Sequence, residues 1–252
     1  MYPSPKGGRS KTDRGAGRTE VRVRGGRREL RVDGTYASSW KPGSDTTGSV
    51  WDAIAAGILA LPPARRRNVL LLGLGGGSAA RIVRAVAPEA RITGVEIDPD
   101  VVALARRWFD LDALGVNVVI ADAREFLVRT RARYDAILED CFIGPEDELA
   151  KPEGIPEPAF TRAASRLRPG GVLVSNALDE APAIADAIGA HFRSVVRIGI
   201  DEYENQVFVG ASAPLRATEL RRAVAANPVL APTLPVLSFR SVSRRGRTTR
   251  SG

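Results

Sequence analysis

The run Gly73-Leu74-Gly75-Gly76-Gly77-Ser78 stands between a continuous apolar stretch, Val69–Leu72, and a helical pattern that opens at Ser78. Glycines let a chain turn sharply and approach a ligand closely, and a helix that starts there offers unpaired N–H groups. A tight strand-to-helix turn needs only one glycine, so Gly73, Gly75, Gly76 and Gly77 together favour a ligand loop. Glu96 closes the next strand pattern. An acid at that place can accept hydrogen bonds from both hydroxyls of an adenosine ribose. Asp98 already suits the helix cap before Pro99, which leaves Glu96 for the sugar. Asp122, in Ala121-Asp122-Ala123, closes a third strand, where it can accept from an adenine amino group or cap the following helix. Asp140, in Glu139-Asp140-Cys141-Phe142, closes a fourth, where a carboxylate can orient an amine and take its proton as it attacks. Glu139 could do the same, but strand alternation sends the two side chains to opposite sides.

The elements that position these residues follow from periodicity. Strand patterns at Val69–Leu72, Arg91–Glu96, Val116–Ile120, Tyr134–Glu139 and Gly171–Ser175 alternate with helices at Ser78–Val86, from Pro99, at Arg124–Arg131, Ala159–Leu167 and Ala183–Phe192. Val195–Ile200 and Asn205–Val209 form a terminal antiparallel pair, followed by a last helix at Leu215–Ala225. Such alternation predicts an α/β fold: a mostly parallel seven-stranded sheet with helices on both faces. Ligands of such sheets sit beyond the carboxyl ends of the strands, where the four candidate acids and glycines fall. Ahead of this unit, Glu20–Arg24 and Glu29–Val32 alternate around Gly25-Gly26 and predict a small N-terminal β-hairpin. A helix follows, carrying Val50, Ile54, Ile58 and Leu61, with Thr47 or Ser49 as its cap. The acidic, Pro/Gly-rich stretch Phe142–Pro158 reads as a binding lid. The expected division is a disordered basic tail over 1–18, the hairpin and helix over 19–66, the nucleoside-binding catalytic domain over 67–228, and a Pro-containing basic tail over 229–252.

Composition excludes several classes. One cysteine, Cys141, permits neither an internal disulfide nor a multi-thiolate metal site, so no metal is expected. The longest apolar stretch, Ala53–Leu61, is too short for a bilayer, which leaves no membrane partner and a cytoplasmic expectation. The net charge of +8 is concentrated in Lys6, Arg9, Lys11, Arg14 and Arg18 at one end and Arg240, Arg244, Arg245, Arg247 and Arg250 at the other. The chain between them is close to neutral, so solvated tails are the simpler reading and nucleic-acid contact through them the less favoured one. Cys141 reads as a packed thiol, His191 as structural, Asp201–Glu204 as a solvated turn, and Trp40, Trp51 and Trp108 as core or subunit contacts.

The run from Val69 to Pro145, with Gly73–Ser78, Val95-Glu96-Ile97-Asp98, Ala121-Asp122-Ala123 and Tyr134-Asp135-Ala136-Ile137, resembles the spermidine synthase (polyamine aminopropyltransferase) family. Val32-Asp33-Gly34 resembles that family's Leu-Asp-Gly signature, and Gly170-Gly171-Val172-Leu173 its fifth strand. The resemblance implies a Rossmann-like methyltransferase fold, with decarboxylated S-adenosylmethionine, or S-adenosylmethionine itself, as the cosubstrate. It places Glu96 on the ribose, Asp122 on the adenine amino group, and Asp140 on an attacking small-molecule amine, and it implies a homodimer. The chain departs from the pattern at Gly76, where the family has an aspartate. It departs again in Asp140-Cys141-Phe142-Ile143-Gly144, which lacks the family's second aspartate, and at Ala37, which stands for a glutamine. These losses keep S-adenosylmethionine-dependent methyl transfer open as an alternative, together with a non-catalytic nucleoside- or nucleic-acid-binding relative. A nicotinamide-dependent oxidoreductase also fits a glycine loop followed by an acid, but the Asp122 match and the hairpin disfavour it.

Overall fold

The structure, a computed structural model, describes residues 11–14 and 18–243; the remaining basic residues of both ends, Arg244 to Arg250 among them, lie outside these. Among the described residues four strands come first: β1 (Lys11–Arg14), β2 (Thr19–Arg24), β3 (Arg27–Val32) and β4 (Thr35–Trp40). They pair antiparallel in chain order, so the expected hairpin is the centre of a four-stranded sheet. Asp33-Gly34, both at positive φ, turn β3 into β4. Val21, Leu30, Val101, Leu104 and Phe109 bury one face of this sheet against the helix Pro99–Trp108 of the following unit.

Next come α1 (Val50–Ala56), β5 (Asn68–Leu72), α2 (Ser78–Val86), β6 (Arg91–Glu96), α3 (Pro99–Trp108), β7 (Val116–Ile120), α4 (Ala123–Arg129) and β8 (Tyr134–Glu139). Then follow α5 (Ala159–Arg166), β9 (Leu167–Ala177), α6 (Ala181–His191), β10 (Ser194–Ile200), β11 (Gln206–Ala211), α7 (Ala217–Ala225) and β12 (Leu237–Ser241). The second sheet runs β12-β10-β11-β9-β8-β5-β6-β7. Its five strands from β9 to β7 are parallel, and β10, β11 and β12 join antiparallel. Among the described residues the sheet therefore has eight strands rather than seven. The extra strand comes from within the expected C-terminal tail, where Leu237 and Phe239 alternate with polar residues and pair with Ile200 and Ile198. Likewise Lys11–Arg14, expected in the N-terminal tail, pairs with β2.

Side chains of β5 alternate between two cores, as a strand covered on both faces requires. Val69 and Leu71 join α1, α2 and α7, whereas Leu70 and Leu72 join α4, α5 and α6. Strand order reverses between β5 and β8, so the carboxyl ends of these two strands flank the crevice where the ligand of such a sheet belongs. Among the described residues no helix is long and apolar enough to cross a membrane.

Candidate active site

A cavity of about 650 Å³ opens at that reversal, within the size range of small-molecule sites. Gly73, Gly75, Glu96, Asp122, Ala123 and Asp140 line it, so residues spread over 68 positions of sequence converge on one space. Gly76 and Gly77 do not line it. The Gly76 N–H donates to Ser38 Oγ at 2.7 Å, and a Cβ at this position would lie 2.8 Å from Ser38 Cβ and 3.1 Å from the Phe109 ring. Gly77, at φ +84°, starts α2 with its face against Leu111. The glycine run thus has two functions: Gly73 and Gly75 form the cavity floor, and Gly76 and Gly77 let β4 and α3 pack against the loop. Ser39 and Ser78 complete this junction through reciprocal bonds of 2.9 and 2.8 Å.

Gly73 brings the two central strand ends together. At φ +82° it turns where a Cβ would lie 2.6 Å from the Asp140 carbonyl oxygen, so no side chain fits. Asp140 is held from the other side by two neutral donors. Trp51 Nε1 donates to its Oδ2 at 3.1 Å, and Asn176 Nδ2 donates to its Oδ1 at 2.8 Å. Asn205 donates to Asn176 Oδ1 at 3.1 Å and fixes that amide's orientation. Burial, only partly offset by Asn176 and the nearby Lys151 charge, pushes the Asp140 carboxyl up to about 6. Such a group is ionised at neutral pH and close enough to it to exchange a proton. Tyr36, whose hydroxyl burial pushes up to about 12, tilts its ring against Trp51 with centroids 5.3 Å apart.

Glu96 accepts from the backbone N–H groups of Gly75 at 2.8 Å, Ile97 at 3.0 Å and Asp98 at 3.2 Å. Burial raises its carboxyl, and these three donors oppose the rise. Its neighbour Ile97 is 64% exposed although aliphatic, and lines the cavity. Asp98 caps α3 as expected, accepting from Asp100 N at 2.8 Å. Asp122 caps α4 and also lines the cavity: it accepts from the N–H groups of Arg124 at 2.7 Å and Glu125 at 3.3 Å. Its other oxygen takes Arg124 Nη2 at 2.6 Å, and this guanidinium holds the Asp122 carboxyl below the usual range.

The Phe142–Pro158 segment is a tethered flap. Ile143 and Ala150 bridge its two limbs, and Thr35 Oγ1 donates to the Gly144 carbonyl at 3.3 Å. At its base Lys151 enters the protein, donating from Nζ to Glu139 Oε1 at 2.8 Å and to the Cys141 carbonyl at 3.1 Å. Both side chains are 1–2% exposed. Glu139 also accepts from Ser175 and the Cys141 N–H, so it is sealed behind the strand and takes no part in the cavity. Burial pushes the Cys141 thiol well above its usual value, consistent with a packed side chain rather than a nucleophile. His191 pairs with Glu157 at 2.8 Å.

Five contributors escape sequence reasoning: Tyr36, Trp51, Lys151, Asn176 and Asn205. Asn176 was within reach, because β9 runs to Ala177 and the strand-end rule that finds Asp140 finds Asn176 as well. Trp51, expected as a core or subunit contact, does pack into the core, yet its N–H faces the cavity.

A family model described as the spermine/spermidine synthase domain matches residues 55–195. A polyamine aminopropyltransferase from Neisseria meningitidis is 35% identical over 124 residues, which are 48% of this chain and 45% of that protein. The chain thus spans less than half the length of this curated relative. A probable spermidine synthase from Corynebacterium glutamicum superposes with a TM-score of 0.74 at 22% identity, covering 94% of this chain and 91% of that one. Human methyltransferase-like protein 13, in complex with SAH, superposes with a TM-score of 0.62 at 25% identity, covering 80% of this chain and 96% of that one. The glycine floor, Glu96 and Asp140 all fall inside the matched stretch, which takes in more than half of the chain; the protein belongs to the spermine/spermidine synthase domain family.

Proposed function

We propose that the protein transfers an aminopropyl group from decarboxylated S-adenosylmethionine to a small amine, with Asp140 receiving the attacking nitrogen. The single observation that carries this reading is the Asp140 carboxylate, held between Trp51 and Asn176 beside the glycine floor with its carboxyl raised to about 6. Glu96 would take the ribose hydroxyls, Ile97 an adenine face, and Asp122 the adenine amino group, sharing its carboxylate with Arg124. The amine nitrogen forms a bond to the carbon beside the sulfonium sulfur. The carbon–sulfur bond breaks with its electron pair going to sulfur, methylthioadenosine leaves, and the amine proton passes to Asp140. Holding the two partners in line is the main contribution such a site can make.

One observation favours a second reading, methyl transfer. The space at Gly76 is filled by Ser38 and Phe109, so no acid stands there to repel the carboxylate of ordinary S-adenosylmethionine. The co-product separates the two. Incubation with each sulfonium nucleoside and an amine panel should release methylthioadenosine with the decarboxylated form and no S-adenosylhomocysteine with the other; the reverse pattern would replace the first reading by the second. Because Asp140 must be ionised to accept a proton, kcat/KM should fall as pH drops through about 6. A profile flat down to pH 4.5 would remove Asp140 from the proton transfer. Glu96→Ala should weaken methylthioadenosine binding by about ten- to a hundredfold in calorimetric titration, the range for a hydrogen bond to a charged group. Unchanged affinity would take Glu96 off the ribose.

A further inference from the structure

The chain between the two tails is close to neutral in sum, but the fold sorts its charges to opposite ends of the parallel sheet. The cavity acids Glu96, Asp122 and Asp140 stand at or just after the carboxyl ends of the strands. The amino ends carry arginines. Arg67 immediately precedes β5, Arg91 opens β6, Arg133 immediately precedes β8, and Arg168 is the second residue of β9. All four are exposed, and their strands are neighbours in the order β9-β8-β5-β6. At the usual strand spacing they form a row roughly 15 Å long. Hydrogen bonds join neighbours within it: the Arg91 N–H donates to the Arg67 carbonyl at 2.7 Å, and Arg133 Nη1 to the Leu167 carbonyl at 3.3 Å. Counting the row and three residues to either side of each member, the chain holds eight arginines against two acids, Glu89 and the buried Asp135.

We infer that this edge binds the phosphate backbone of a nucleic-acid duplex, on the side of the sheet opposite the cavity and independently of what the cavity transfers. The charge is presented rather than neutralised. Arg67, Arg91 and Arg131 are exposed and have no acidic partner among the described residues. Arg65 donates to the Pro169 carbonyl, and Arg66 Nε to that of Leu61 at 2.8 Å. Carbonyl bonds of this kind fix a guanidinium without cancelling its charge, and its five N–H groups leave donors for phosphate. The C-terminal sequence continues the edge. Strands β9 and β10 are both antiparallel to β11 and so run the same way, and β12 runs against them, which puts Ser241 beside Val196 near the start of β10. The sequence that follows carries Arg244, Arg245, Arg247 and Arg250. A bilayer or a single strand fits this edge less well than a duplex. Stable membrane attachment needs an apolar anchor besides charge, and single-strand readers need exposed aromatic rings on which bases stack. Of the exposed large apolar side chains described, only Val128, in the last turn of α4, is near the edge, and the nearby aromatics Tyr134 and Phe192 are buried. A duplex presents its phosphates outward and asks for neither.

The test is fluorescence anisotropy of short labelled DNA and RNA duplexes of arbitrary sequence, titrated with the full-length protein. Binding of either duplex supports the inference if it shows the salt dependence of backbone contact. With four phosphate contacts, affinity should fall about a hundredfold between about 50 mM and about 200 mM salt, and duplexes of unrelated sequence should bind alike. Arg67→Glu with Arg91→Glu should weaken binding at least about tenfold and reduce the salt slope by about two, and Arg131→Glu should act in the same direction. These side chains are exposed, so thermal melting should not move. Replacing Arg244, Arg245, Arg247 and Arg250 by alanine in the full chain should leave the sensitivity to Arg67 and Arg91 in place. Absence of binding at about 50 mM salt overturns the inference, as does undiminished affinity in the double variant. Tighter binding of the matching single strand, or of phosphatidylserine vesicles, overturns it as well. So does a loss in Lys41→Glu equal to that in Arg131→Glu, because Lys41 is an exposed cation just after β4 and net charge alone would then explain the affinity.

Discussion

Asp140→Asn is expected to lower turnover by a factor of about 10² to 10⁴, the usual contribution of a positioned proton acceptor, with little change in nucleoside affinity. The substitution retains the shape of the side chain and its place above Gly73. It removes the negative charge that would draw an amine and the lone pair that would take its proton. The asparagine must also turn one N–H₂ edge toward Trp51 or Asn176, both of which donate to the native carboxylate, so one of those bonds is lost. Steady-state release of methylthioadenosine reads the first effect, and titration with methylthioadenosine reads the second. Undiminished turnover would remove Asp140 from the chemistry. Equal losses of turnover and nucleoside affinity would instead make it a binding or folding residue.

Lys151→Ala is expected to destabilise the fold by about 3–5 kcal/mol, the typical result of leaving one charge of a buried pair without its partner. The Lys151 and Glu139 side chains are 2% and 1% exposed, and Lys151 also holds the Cys141 carbonyl. The double substitution Lys151→Met with Glu139→Gln removes both charges while keeping most of the volume, and should recover most of the loss. Urea denaturation of the three proteins measures this directly. A loss below about 1 kcal/mol in the single variant would mean that the pair is wet and the flap is anchored elsewhere.

The parts of the fold set by local pattern were legible in the sequence. The parallel strands and their helices follow from apolar runs bounded by glycine and proline, and Asp98-Pro99 marks a helix start that the structure reproduces. Elements whose residues are polar or mixed were not. Thr35–Trp40 contains no run of β-branched apolar residues; it is a strand through its pairing with β3, and Ser38 and Ser39 tie it to Gly76 and Ser78. The site divides in the same way. Gly73, Gly75, Glu96, Asp122, Ala123 and Asp140 lie at or just after strand ends in the sequence, and they line one cavity. The strand-end rule also selected Gly76 and Gly77, which serve packing, because it does not say which glycine of a run faces outward. Lys151 was invisible for a different reason. Its sequence setting, an acidic proline-rich stretch, suggests a solvated side chain, and only the fold brings it to Glu139.

Strand β12 has a consequence for how the chain must be handled and synthesised. An edge strand with open N–H and C=O groups is a template for pairing with another molecule. Val196, Ile198 and Ile200, all buried, alternate along β10, and β12 occupies the side of β10 opposite β11. A polypeptide that ends at residue 228, where composition alone would place the end of the domain, leaves that side open beside an apolar face. The same exposure occurs transiently on the ribosome, since residues 237–241 emerge some 37 residues after their partner strand. Strand β12 is thus a guard against self-association during biogenesis, and aggregation on C-terminal trimming would be its signature.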